Sequence, residues 1–143
     1  MRKLVFLLAA VGAVLVVSAA ALAGTRGASW STTLSPAQEV PPQTVSTPAA
    51  HGAFTATLTG STLTWKLTFS KLSGPATAAH IHLGAKGKSG NVLIPLCAPC
   101  KSGVSGTATL KSSVKTDFTK HLLYVNVHTA KNPHGEIRGQ LGG

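Results

Sequence analysis

The residues of this chain best suited to chemistry are histidines, and two of them stand one position apart, His80 and His82 in Ala79-His-Ile-His-Leu-Gly84. In an extended strand, residues i and i+2 project to the same face, about 7 Å apart along the chain. With Ala79 and Ile81 turned inward, both imidazoles lie on the opposite face. The same parity in Leu123-Tyr-Val-Asn-Val-His128 turns Leu123, Val125 and Val127 inward and Tyr124, Asn126 and His128 outward. In Glu136-Ile-Arg-Gly-Gln-Leu141 it buries Ile137 and Leu141 and places Glu136 and Arg138 outward. If these strands are neighbours, His80, His82 and His128 form a tripod for one metal ion. Neutral imidazole is a borderline ligand that suits copper and zinc, and three histidines from two strands fit a metal site. A structural reading of the same residues competes. In it, His80 and His82 bond to the turn Gly84 to Gly90, and Asn126 satisfies loop backbone groups. Glu136 and Arg138 then form a polar cluster with Asn126, their ion pair worth ~0–1 kcal/mol if exposed.

Other chemistries are poorly supported. Cys97 and Cys100 in Leu-Cys-Ala-Pro-Cys form a short disulfide by default in an oxidising compartment. Metal ligation and redox exchange are the alternatives, and a redox role needs the pair at the start of a helix in a βαβ unit. The acids are Glu39, Asp117 and Glu136, with Glu39 and Glu136 in unrelated segments, which disfavours a paired-carboxylate hydrolase. No serine sits in a nucleophile-elbow context. Gly84-Ala-Lys-Gly-Lys-Ser-Gly90 lacks the spacing and the strand-loop-helix setting of a phosphate loop, and it reads as a turn between strands.

The elements that must position these side chains are strands. Phe54, Ala56 and Leu58 alternate with threonines, Gly60-Ser61 makes a two-residue turn, and Leu63, Trp65, Leu67 and Phe69 alternate with polar residues. That pattern predicts a β-hairpin. Further strands are expected over 77–82, 91–96, 104–110, 122–128 and 136–141, with an edge strand over 30–34. The segment 35–48 carries four prolines and reads as an extended loop. No amphipathic helix is visible. About eight short strands predict an all-β, antiparallel Greek-key sandwich or flattened barrel.

The ends and the charge bound where such a domain works. Met1-Arg2-Lys3, the apolar run Leu4 to Val17, and Ala21-Leu22-Ala23 have the layout of an export signal, with cleavage expected after Ala23. Retention as a membrane anchor is the alternative, since the uncharged stretch from Leu4 to Gly24 is about long enough to span a bilayer. Residues 24–33 then form a lead-in and edge strand, and 34–141 the domain. The chain has 13 basic residues. Without Arg2 and Lys3, eleven remain against three acids, a formal charge of +8. Such an excess suits an anionic partner at the cell envelope, although dispersed lysines also simply keep a domain soluble. Nucleic acid is disfavoured, because no basic stretch is interleaved with aromatics.

Four stretches together resemble the CHRD domain, the module named after its repeats in chordin and found in many exported bacterial proteins. They are Leu34-Ser-Pro-Ala-Gln-Glu-Val-Pro-Pro42, His51-Gly-Ala-Phe54, Ala79-His-Ile-His-Leu-Gly84, and Tyr124-Val-Asn-Val-His-Thr129 with Gly135-Glu-Ile-Arg-Gly-Gln-Leu141. They occur in family order from Leu34 to Leu141. The resemblance implies an extracellular, all-β domain and carries over no particular biochemical activity; a non-enzymatic module that binds an unspecified extracellular or envelope ligand is the leading expectation, and Cys97 and Cys100 lie outside the family motifs. A second, fold-level similarity is to Cu/Zn superoxide dismutases, sandwiches with a His-x-His strand at copper. It makes His80, His82 and His128 copper ligands and Arg138 an anion-guiding residue. The zinc subsite of those enzymes has no counterpart here: Asp117 stands alone and His51, His121 and His134 are scattered, although His134 follows His128 closely enough to approach it. Three functional expectations result: an interaction module, a copper or zinc protein with possible redox activity, and an electrostatic binder of anionic polymer.

Overall fold

In the computed structural model, residues 27–142 are described. The expected leader, Met1 to Ala23, lies outside them. Eight strands follow in order: β1 (Ala28–Leu34), β2 (His51–Thr59), β3 (Thr62–Ser70), β4 (Ala76–Leu83), β5 (Val92–Cys97), β6 (Val104–Thr109), β7 (Leu123–Thr129) and β8 (Ile137–Leu141). Each expected strand is present. The hairpin β2–β3 turns on Gly60-Ser61 with Thr59 opposite Thr62, and Gly60 takes φ 61°, a left-handed conformation that costs glycine little.

The strands form two four-stranded antiparallel sheets, ordered β1-β2-β3-β6 and β5-β4-β7-β8. β3 pairs with β6 while β4 and β5, which lie between them in sequence, belong to the other sheet. The sheets do not close into a barrel, so of the two expected forms the sandwich is the one realised. Period-2 alternation supplies its core. Phe54, Leu63 and Leu67 from one sheet face Ile81, Leu123, Val125, Val127, Ile137 and Leu141 from the other, all fully buried.

One element was not expected. Ser112–Thr119 forms a short helix, α1, built from Ser, Thr, Val and Asp residues that are weak helix formers, with no side-chain cap at Lys111. Its stability is tertiary. Phe118 is fully buried, with its ring 4.7 Å from that of Trp30 on β1. A helix held by one anchoring side chain leaves almost no periodic signal.

The Pro-rich segment 35–48 is a loop containing a single 3-10 turn, Pro36–Gln38. It does not hang free. Ser35 exchanges backbone hydrogen bonds with Arg138 at 3.0 and 3.1 Å, which covers the outer edge of β8, an edge otherwise open to pairing. Further along, Asn132 accepts from the Val45 amide at 2.7 Å and donates to the Val45 carbonyl at 3.1 Å. The loop is thereby pinned across one end of the β5-β4-β7-β8 sheet.

Candidate metal centre and its polar surround

β4 and β7 are neighbours, with His80 opposite Asn126, His82 opposite Tyr124 and Ala78 opposite His128. Ala79 and Ile81 are fully buried, so both β4 histidines stand on the face away from the core. His80, His82 and His128 converge: one ligand nitrogen from each lies within 4.8 Å of the other two. Their ring centroids are 5.0 to 6.1 Å apart.

Hydrogen bonding orients the rings. His82 Nδ1 is 3.0 Å from the Gly90 carbonyl and His128 Nδ1 is 2.9 Å from the Pro133 carbonyl. A carbonyl oxygen only accepts, so each of these nitrogens carries the proton and each Nε2 of the neutral ring carries a lone pair. The His128 Nε2 lone pair meets His80 Nδ1 at 3.1 Å. The His82 Nε2 lone pair is buried and has no partner. Histidine metal ligands commonly donate their second nitrogen to a carbonyl in this way, which fixes ring and tautomer.

The rings are also held neutral. Burial lowers the pKa of all three; the neighbouring charge of His82 adds to the effect at His80. At His82, burial outweighs the Gly90 carbonyl, which favours the cation, and the Arg138 charge pushes the same way as burial. At His128 burial prevails over the Pro133 carbonyl, and His80, His82 and His134 push further, to about 4. Imidazoles that are neutral at pH 7 have lone pairs free for a metal. Nitrogens on tetrahedral zinc stand about 3.3 Å apart, from bonds of about 2.0–2.1 Å. The 3.1 Å approach of His80 to His128 already matches that separation, and the widest spacing needs about 1.5 Å of closure by side-chain rotation. The donor set, the geometry and the unpartnered His82 nitrogen therefore fit copper or zinc, with a coordination position left over.

The surround was only partly foreseen. Asn126 and Arg138 do share the outward face and stand opposite each other on β7 and β8, but neither is solvent-exposed, at 2% and 1%. The loop 35–48 and the turn after β4 cover them. Glu136 departs from the expected cluster. It precedes β8, is fully buried, and its carboxylate accepts from the Ser73 amide and hydroxyl and from the Thr129 hydroxyl. Burial alone would raise its pKa; these bonds hold it below the ordinary carboxylate value. Arg138 instead lies over the Tyr124 ring, 3.5 Å from its centroid, and donates from Nη2 to the Ala85 carbonyl and to Gln140 Oε1. Tyr124, on the strand between, stacks against His82 at 4.8 Å and 7°. Its hydroxyl accepts from the Gly90 amide, so the turn that holds His82 is itself held.

One residue of this surround was not singled out in the sequence. Glu39, on the Pro-rich loop, is 5% exposed and its carboxylate sits against Gly135, where a Cβ would collide with it. Burial raises its pKa to about 8 despite the Arg138 charge, the Val40 amide and Asn126. Its rarity in a basic chain was the available signal. His134 acts on His128 electrostatically but is outside the converging set, and His51 and His121 lie elsewhere. Cys97 and Cys100 form a disulfide.

A family model for the CHRD domain matches residues 30–141, most of the chain, and the protein belongs to the CHRD domain family. Membership suggests a binding or interaction module. No curated protein and no solved structure matches the chain.

Proposed function

We propose that this protein is an exported binding module of the cell surface or extracellular space that holds copper or zinc through His80, His82 and His128. The observation carrying the reading is the convergence of three neutral imidazole nitrogens within 4.8 Å, one of them a buried lone pair with no partner. The leader-like sequence and the Cys97–Cys100 disulfide support export, because disulfides persist in oxidising compartments. His82 and His128 would ligate through Nε2, oriented by the carbonyls of Gly90 and Pro133. His80 would give up its hydrogen bond to His128 and ligate through Nδ1. A bound ion would act as a Lewis acid at its open position. The role favoured is binding rather than turnover.

Calorimetric titration with Cu(II) and Zn(II), on the purified chain and on His80→Ala and His128→Ala, tests this. One-to-one binding that either substitution weakens at least tenfold is expected. Binding that ignores both substitutions, or none at all, refutes the metal site and leaves the histidines structural. Attachment to anionic envelope polymer is a separate reading that rests on net charge. It requires association that collapses as salt rises and screens exposed lysines.

A further inference from the structure

Four strands stand at the edges of the two sheets, β1 and β6 in one, β5 and β8 in the other. An edge strand presents unpaired N–H and C=O groups to any extended chain that reaches it, and folded proteins guard against this with coverage, proline, bulges or charge. Three of the four are guarded. Ser35 is hydrogen-bonded along the edge of β8. β1 sets Thr32 and Thr33 against Gly139 of β8, and Gln38 donates to the Thr33 carbonyl at 3.1 Å. β5 contains Pro95, and its pairing with β4 shifts register twice.

β6 carries none of these devices. Val104-Ser-Gly-Thr-Ala-Thr109 has no proline and no charge and pairs with β3 without a register shift. Among the described residues no strand pairs with its other side. The Leu110 amide donates to the Ser61 carbonyl, on the β3 side. In an antiparallel ladder the N–H and C=O of one residue point the same way and alternate along the strand. Ala108 and Gly106 are therefore spent on β3, and Thr109, Thr107 and Ser105 direct theirs to the open edge. Burial agrees. Leu63 and Leu67 of β3 are fully buried, whereas Val104 and Ala108, which pack on the same core, are only half-buried.

Charge selects the occupant. Lys101 and Lys111 bracket the strand, and Lys66 stands opposite Ser105 on β3; all three are exposed. Of the chain's three acids, Glu39 and Glu136 are buried elsewhere, which leaves Asp117 on α1. A second copy fits poorly, because two antiparallel β6 strands bring the Lys101 end of each to the Lys111 end of the other, like charge against like. An extended segment with acidic residues at its ends meets attraction at both. We propose that β6 docks an extended, acidic segment of a protein partner, which joins the β1-β2-β3-β6 sheet as a fifth strand. The edge lies on the sheet opposite the histidine centre and acts without it.

The test titrates the purified chain, stripped of metal, with a synthetic Glu-Glu-Thr-Val-Thr-Val-Thr-Glu-Glu peptide and with its lysine-flanked counterpart, by calorimetry and amide hydrogen exchange. One-to-one binding of the acidic peptide is expected, with exchange slowed at Ser105, Thr107 and Thr109 and the lysine-flanked peptide at least tenfold weaker. Thr107→Pro removes an N–H that serves only the open edge, where a strand tolerates proline. It should keep native circular dichroism and weaken binding more than tenfold. Lys101→Glu/Lys111→Glu should reverse the preference between the peptides, and it decides the matter should Thr107→Pro not fold. No binding, binding that Thr107→Pro leaves intact, or a preference that the double variant leaves unreversed overturns the proposal. So does a dimer of the chain alone in sedimentation that Thr107→Pro dissociates, because the edge then belongs to a second copy.

Discussion

Glu39 provides a test of the buried face in which sign and size both follow from the structure. Its carboxyl is packed beneath the Pro-rich loop against Gly135, and its pKa rises from 4.5 to about 8. The groups around it are Asn126 of β7, which lies within reach, and Arg138 of β8, whose charge opposes the shift without cancelling it. Between those two pH values the unfolded chain releases this proton while the folded chain keeps it. The contribution of Glu39 is therefore fully present below about pH 4.5 and is lost as pH rises toward 8. One unit is about 1.4 kcal/mol, so the loss at pH 7 is on the order of 3 kcal/mol. Glu39→Gln has the shape of the protonated acid and does not titrate. Urea denaturation of both proteins at pH 5, 6, 7 and 8 measures the difference, in which the histidine titrations common to both cancel. Stability of the variant relative to the parent should climb by about 2.5 kcal/mol from pH 5 to pH 7 and further by pH 8. A difference that is flat, or that shrinks as pH rises, would refute the reasoning. It would mean that Glu39 is ionised and neutralises Arg138.

Two further predictions concern the frame. Phe118→Ala removes the fully buried anchor of α1 and its contact with Trp30; a loss of about 3–5 kcal/mol and of the small helical circular dichroism signal is expected by thermal and urea denaturation, with His80, His82 and His128, on the other sheet, unaffected. Reducing the Cys97–Cys100 bond opens a loop of only four residues, so the chain-entropy cost is about 2 kcal/mol. The melting temperature should fall modestly in reductant, and Cys97→Ser/Cys100→Ser should be insensitive to it.

Much of this protein is written in local alternation. The eight strands were legible because Phe54, Leu63, Ile81, Val125 and Ile137 recur at period 2 between Gly, Pro and Ser punctuation, and the hairpin at Gly60 because one residue tolerates its φ. The common face of His80 and His82 also follows from parity alone, since a strand leaves no other choice. Helix α1 was not legible, because its one strong contact, Phe118 with Trp30, joins residues 88 positions apart.

What the tertiary structure decided is which faces meet and what covers them. Parity puts His128 outward on its strand but says nothing about which strand lies beside it. Only the pairing of β4 with β7 brings His128 to His80 and His82. Parity also marks Arg138 as outward, and in an uncovered sheet outward would mean wet. The loop carrying Glu39 folds over that face, so a residue expected to pair at the surface becomes a buried cation, and Glu136 turns to Ser73 and Thr129 instead. Alternation reports the side of a sheet on which a residue stands, because that is fixed by the backbone two bonds away. Whether that side is solvent, loop or ligand depends on chain segments tens of residues distant, and no local pattern encodes it.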